Sequence, residues 1–150
     1  NMINEMKLTA ILNKVRFEDP EVMPAWKVVR MATIENARAL GIEQRVGSIQ
    51  EGKDADLILI DAKQLSLSPM ITVPMRNFIP NLVYSARGPE VDTVIVKGNI
   101  LVEHRKPQTF DMDEIIEKTQ ALADEIGEKA AAQFYEINGK NAQYMREDKL

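Results

Sequence analysis

Residues Gly47 to Asp61, reading Gly-Ser-Ile-Gln-Glu-Gly-Lys-Asp-Ala-Asp-Leu-Ile-Leu-Ile-Asp, constrain the fold of this chain more than any other segment. Two glycines bracket a short piece, a charged turn follows, and four large aliphatic residues run into an acid. Gly52 permits a turn that a residue with a Cβ resists, and Lys53-Asp54 keeps that turn in water. Leu57 to Ile60 lacks any apolar–polar alternation. This predicts a short strand covered on both faces.

The flanking sequence reads as helices before this block and a hairpin after it. Asn1 to Val15 predicts a helix, with Asn1 as N-cap and Glu5 in the first turn, where the dipole favours an anion. Met2, Met6 and Ala10 form one stripe and Leu8, Ile11, Leu12 and Val15 a second, so the helix is expected to be covered on most sides. Asp19-Pro20 breaks it. Pro24 suits the first turn of a second helix through Val28, Val29 and Met31. Thr33 is placed to cap a third, from Ile34 to Leu40, which Gly41 stops. The proline-punctuated stretch from Ser66 to Pro80 reads as loop, and Asn81 to Ala86 as a helical turn. Val91 to Lys97 and Ile100 to Glu103, on either side of Gly98-Asn99, predict a tight β-hairpin. Asp111 with Glu114 starts a long helix carrying the stripe Ile115, Thr119, Leu122, Ile126, Ala130, Phe134 and Ile137. Gly139 ends it, and the polar tail is expected to be mobile.

Composition narrows the function classes. The 150 residues are one domain's worth, with 45% hydrophobic and 28% charged residues. The net charge of -4 comes from the end of the chain, since residues 111–150 hold 10 Asp/Glu against 5 Lys/Arg. No basic face is implied, which argues against nucleic acid, and the acidic end reads as the solvated side of a helix. The lack of cysteine excludes disulfides and thiolate metal sites and fits a reducing cytosol, so a cytoplasmic location is expected. No apolar run approaches the roughly 20 residues that cross a bilayer, and no signal peptide is visible. The sequence starts at Asn1 in mid-pattern, so it is expected to be part of a longer protein.

Residue types able to do chemistry are few. Gly47 to Gly52 and Lys53 match the first seven positions of a P-loop, but Asp54 stands where a hydroxyl should hold Mg²⁺, and a strand follows instead of a helix. A turn between β segments is the better reading. His104 is the one histidine, flanked by Arg105 and Lys106, and it reads as a solvated strand-end residue. A metal site needs several converging ligands, and a triad needs a second base; neither is present. Asp54, Asp56 and Asp61 surround the predicted strand, whose alternation would send side chains to opposite faces. Trp26 behind Pro24 reads as core, and the eight methionines as packing.

Several segments, in order, resemble the amidohydrolase superfamily. Met31-Ala32-Thr33-Ile34-Glu35-Asn36-Ala37-Arg38-Ala39-Leu40-Gly41 is similar to its helical A-T-x-x-x-A-x-x-L-G element, although Asn36 stands where a glycine is common. Gly47-Ser48-Ile49 and Glu51 to Leu57 follow at the usual interval. Asn81 to Ala86 resembles the segment before the last hairpin, and Val94-Ile95-Val96-Lys97-Gly98-Asn99 its closing V-x-V-x-G strand. Gly88-Pro89-Glu90 is an atypical lead into that hairpin. Asn1 to Met6, with Met23-Pro24-Ala25, resembles the branch of methylthioadenosine/S-adenosylhomocysteine deaminases, whose relatives include guanine deaminases and triazine chlorohydrolases.

The resemblance implies an α/β fold: the C-terminal part of a metal-dependent (β/α)8 barrel (its last helices), strands of an accessory β-sandwich, and a long C-terminal helix. Residues 1–45 would be the last barrel helix and those following it, 46–110 the sandwich strands with their connecting loop, and 111–150 the C-terminal helix and tail. The sandwich is built in this family from both termini of the full chain. It further implies a divalent metal, usually zinc, held by histidines and an aspartate, with bound water displacing ammonia from an aminopurine ring. Those ligands would precede Asn1, so no catalytic or metal-ligating role falls on any residue here, and no substrate-binding residue is singled out. Implied partners are the remainder of the barrel, a small-molecule substrate and further copies in a homo-oligomer, with neither nucleic acid nor membrane. The alternative is a stand-alone binding or assembly module that meets its partner through the acidic C-terminal helix.

Overall fold

The first helix, α1 (Met2–Phe17), starts at the cap the sequence provides: Asn1 Oδ1 accepts from the Asn4 amide at 3.0 Å, satisfying one of the free donors of the first turn. It stops at Glu18, whose φ of 50° is left-handed. Ile3, Met6 and Ala10 are buried, whereas Leu8, Ile11, Leu12 and Val15 are exposed. The expectation of a helix covered on most sides is therefore corrected to one buried stripe. The computed structural model describes residues 1–137 and 139–149, and among them nothing covers the second stripe.

After Pro24 comes α2 (Ala25–Arg30), which runs through a π-helical turn (Met31–Glu35) into α3 (Asn36–Ala39). Thr33 does not cap a separate helix. It sits at the kink of the continuous one, with φ −124° and ψ −105°, and its hydroxyl donates to the Val29 carbonyl at 2.7 Å. Such bonding to the i−4 carbonyl bends helices in place of starting them. Glu35 clamps the bend from outside, meeting Lys27 at 3.0 Å and Arg30 at 3.2 Å. The Lys27 ammonium, followed by Arg30, holds the Glu35 carboxyl below its usual range.

The sheet is antiparallel, in the order β1 (Leu57–Ile60), β2 (Val91–Val96), β3 (Asn99–Glu103), β4 (Lys106–Pro107). β1 lies at its edge, and Ile58 and Leu59 are 50% and 54% exposed, so the strand is not covered on both faces. Its aliphatic run marks surfaces that these residues leave unfilled. The hairpin forms as expected, but one residue earlier. Val96 pairs with Asn99, and the two turn residues are Lys97 and Gly98, at φ 49° and 80°, the signs of a type I′ turn.

Between β1 and β2 lie a 3₁₀ turn (Leu65–Leu67) and α4 (Phe78–Tyr84), which begins three residues before the expected helical turn and carries Pro80 in its first turn. Asn77 and Asn81 tie the intervening loop down through the Pro69 and Leu67 carbonyls, each at 2.9 to 3.0 Å. The core consists of the buried stripe of α1, Ala25 and Val28 of α2, Leu67 of the 3₁₀ turn, Leu82 and Val83 of α4, and Ala86.

Residues 1–109 form one compact unit, and a second begins at Phe110. In the second, α5 (Met112–Glu136) is capped by Asp111, which accepts from the amides of Asp113 and Glu114. Glu114–Lys118 and Glu125–Lys129 pair along its polar side. The predicted stripe is present, and Ile115, Leu122, Ile126 and Phe134 are all exposed. The segment expected to be a mobile tail forms a further helix, α6 (Lys140–Arg146), with Ala142 buried and Arg146 over the Tyr135 ring.

Candidate functional site

Two layers of the first unit, the α1–α2 helices and the sheet, face each other across a groove of about 1030 Å³. Met2 and Met6 of α1, Val29 of α2, and Leu57, Val94 and Val102 of the sheet give it an apolar lining. Its polar groups are Asn1, Thr33, Asp56, Arg87 and Arg105.

Where β2 begins, a carboxylate is buried. Glu90 is 5% exposed, and its Oε2 accepts from the backbone amides of Arg87 at 3.0 Å and Gly88 at 2.8 Å, while Oε1 accepts from the Ser66 hydroxyl. Burial pushes its pKa up, but the Ser66 hydroxyl and the amides of Arg87, Glu90 and Gly88 outweigh burial and hold it at about 2. The Glu90 carbonyl in turn accepts from the Asp61 amide at 2.8 Å. On the other side of this turn, Asn1 Nδ2 donates to the Arg87 carbonyl at 2.9 Å. Gly88 lies so close to Asn1 that an added Cβ would stand 2.9 Å from Nδ2. One side chain, Asn1, thus caps α1 and fastens it to the turn that Glu90 braces.

Beside this junction, Arg105 collects the strand ends. Its guanidinium meets Asp61 at 2.9 Å and Asp92 at 3.6 Å and donates from Nε to the Pro89 carbonyl at 2.8 Å. Bonds from the Gln64 side chain, the Lys63 amide and Arg105 lower the Asp61 pKa. His104 stands at 3.4 Å from Asp92 and is otherwise open to solvent.

The structure disperses the three acids of the Gly47–Asp61 block. Asp54 pairs with Arg45 at 2.9 Å, Asp56 accepts from the Lys97 amide at 2.8 Å, and Asp61 belongs to Arg105. Lys53 Nζ is taken up by the Glu43 carbonyl and, at 2.8 Å, by Ser48 Oγ, so it closes a turn. Trp26, expected in the core, is instead exposed, because α2 turns Ala25 and Val28 inward.

The resident chemistry does not fit a divalent metal. Asp61 and Asp92 are neutralised by Arg105, and the Glu90 oxygens are engaged by protein donors. Among the described residues no three His, Asp, Glu or Cys side chains converge. What the sequence reading missed is the Asn1–Glu90 junction, whose only outward sign is the unusual Gly88-Pro89-Glu90.

Comparison with known proteins agrees with this scaffold. The Amidohydrolase family profile matches residues 1–101. A 5-methylthioadenosine/S-adenosylhomocysteine deaminase of Moorella thermoacetica is 45% identical over 115 residues, covering 77% of this chain and 26% of the relative. A 5'-deoxyadenosine deaminase of Methanobrevibacter smithii is 38% identical over 128 residues, covering 85% of this chain and 28% of its own length. Among solved structures, a zinc-bound adenosine deaminase from Xanthomonas campestris superposes with a TM-score of 0.73 at 31% identity, over 83% of this chain and 27% of that one. A zinc complex of atrazine chlorohydrolase from Arthrobacter aurescens TC1 shares the fold, with a TM-score of 0.65 at 24% identity over 80% and 26% of the two chains.

The fold is thus α/β and similar to that of amidohydrolases, with a small antiparallel sheet and helices. This chain belongs to the amidohydrolase family. It spans about a quarter of the length of the relatives it matches. These matches support the enzyme reading and give none to the stand-alone module.

Proposed function

We propose that this chain is the C-terminal scaffold of a hydrolytic deaminase that releases ammonia from an aminopurine nucleoside of the methylthioadenosine, S-adenosylhomocysteine or 5'-deoxyadenosine type. The observation that carries it is the 45% identity to a deaminase, spread over 115 residues. Residues 1–45 act as the last barrel helix and its successors, 46–110 as sandwich strands, and 111–150 as a C-terminal helix and tail. The divalent metal, in this proposal zinc, is held by upstream parts of the full gene product.

In this reading the chain's own residues support chemistry performed by others. The free edge of β1 pairs with an upstream strand, and the groove beneath the sheet is filled by upstream side chains. Both steps would cover apolar surface and unpaired backbone that the described residues leave open. The exposed stripe of α5 is the surface offered to another copy in a homo-oligomer. Among the described residues no helix is long and apolar enough to cross a membrane.

Ammonia release by the full gene product from 5'-methylthioadenosine, S-adenosylhomocysteine and 5'-deoxyadenosine tests the assignment. Turnover of at least one of these is expected, with none by the 150-residue chain alone. Turnover by that chain, or inactivity of the full product on all three, would remove the assignment.

A further inference from the structure

We infer that Glu90 and Asn1 are positioning residues for the reaction, because together they set where α1 begins. The inference rests on the barrel reading proposed above. In a (β/α)8 barrel the helix N-termini lie on the face that carries the active site, since each helix follows a strand through a loop at that end. If α1 is a barrel helix, the turn Arg87–Glu90 is a piece of the sheet domain pressed against the catalytic face.

The geometry supports a relay with little slack. Glu90 fixes the turn through two backbone amides and is held by the Ser66 hydroxyl. The turn presents the Arg87 carbonyl to Asn1 Nδ2, and Asn1 Oδ1 holds the Asn4 amide. Gly88, at φ +121°, allows the close approach. At its buried end, the Glu90 carboxylate would lose its partners on burial without these donors. A shift of the turn breaks the bond to Asn1 or pulls Asn1 with it, and a shift of Asn1 uncaps the first turn of α1. A displacement of an ångström at a catalytic face is enough to slow a reaction whose binding contacts stay intact.

Two substitutions in the full gene product separate positioning from simple support. Asn1→Asp keeps an oxygen for the Asn4 amide, so the cap survives, but it loses the donor to the Arg87 carbonyl. Glu90→Gln keeps one acceptor and weakens the brace. Gly52→Ala, in a turn at the opposite end of β1, serves as a stability control. Expected is a fall in kcat of about tenfold for Asn1→Asp and for Glu90→Gln, with KM held within about twofold, on whichever nucleoside the wild type deaminates. Gly52→Ala should lower the melting temperature without lowering kcat. Unchanged kcat in both variants, beside an active wild type, overturns the positioning role and leaves the deaminase assignment standing. The same holds if kcat merely follows the melting temperature across all three variants. A wild type inactive on every nucleoside removes the assignment and this inference with it.

Discussion

Arg105 Nη2 lies 2.9 Å from Asp61 Oδ2, which fastens the turn between β3 and β4 to the end of β1, the most distant of the first three strands in the sheet order. The same guanidinium donates to the Pro89 carbonyl and lies in ion-pair range of Asp92, so one planar fork serves two acceptors and a second carboxylate. A half-exposed ion pair alone contributes little, and the added hydrogen bond brings the loss on Arg105→Ala to about 1 kcal/mol. Arg105→Lys should recover only part of it, because an ammonium cannot span both acceptors and the second carboxylate. Chemical denaturation of the full gene product measures both. Full recovery by lysine would show that charge alone matters here.

Glu90 gives the protein an acid-sensitive latch. Its pKa falls from an ordinary 4.5 when unfolded to about 2 in the fold, so the folded state prefers the ionised form. The stabilisation is fully present above pH 4.5 and is lost as pH drops towards 2. The linkage amounts to at most about 3 kcal/mol. Glu90→Gln should lower stability at neutral pH and flatten its dependence between pH 4.5 and 2. An unfolding free energy that falls equally steeply in wild type and variant across that window would place the acid sensitivity elsewhere.

Local chemistry was legible in the sequence wherever neighbours in the chain decide the outcome. Asn1 as cap, Asp111 as cap and the hairpin itself follow from short-range rules. The hairpin turn slipped by one residue because Gly98 suits either central position of a type I′ turn. The tie was broken by the pairing of Val96 with Asn99 and by the bond from the Lys97 amide to Asp56, the residue just before β1. Burial was legible in amount but not in supplier. The aliphatic run Leu57–Ile60 and the second stripe of α1 announce surfaces that want covering, and nothing in the run says what covers them. The Asn1–Glu90 junction left no sign beyond the unusual Gly88-Pro89-Glu90, because its partners meet across more than eighty positions of the chain.

That missing cover makes the isolated chain a poor folding unit. Among the described residues β1 offers an unpaired edge, and the groove beneath the sheet is lined by apolar side chains. Such an edge invites pairing with another chain, and open apolar surface draws hydrophobic dyes. The 150-residue chain expressed alone should therefore associate in a concentration-dependent way, as seen by light scattering, and bind such a dye. A monomer with a well-dispersed NMR spectrum and no dye binding would contradict this.

Two glycines of the Gly47–Asp61 block, with nearly the same backbone angle, should respond differently to alanine. Gly47 sits at φ +90° and Gly52 at φ +86°, so both substitutions carry backbone strain of about 1–2 kcal/mol. Around Gly52 no atom lies within 4 Å of an added Cβ. At Gly47 the same atom would stand 2.7 Å from Ala37 Cβ and 3.0 Å from Ile34 Cα, which is overpacking against α3 and the turn before it. Gly47→Ala should thus cost about 3 kcal/mol or more in the full gene product, and Gly52→Ala about half that or less. Because Ala37 Cβ is the nearest obstacle, Ala37→Gly should recover part of the Gly47→Ala loss while being destabilising by itself. That opposite sign in the double variant is the signature of direct contact between the two positions. Strictly additive losses would mean that the block is held by its turn geometry alone and not by its seat on α3.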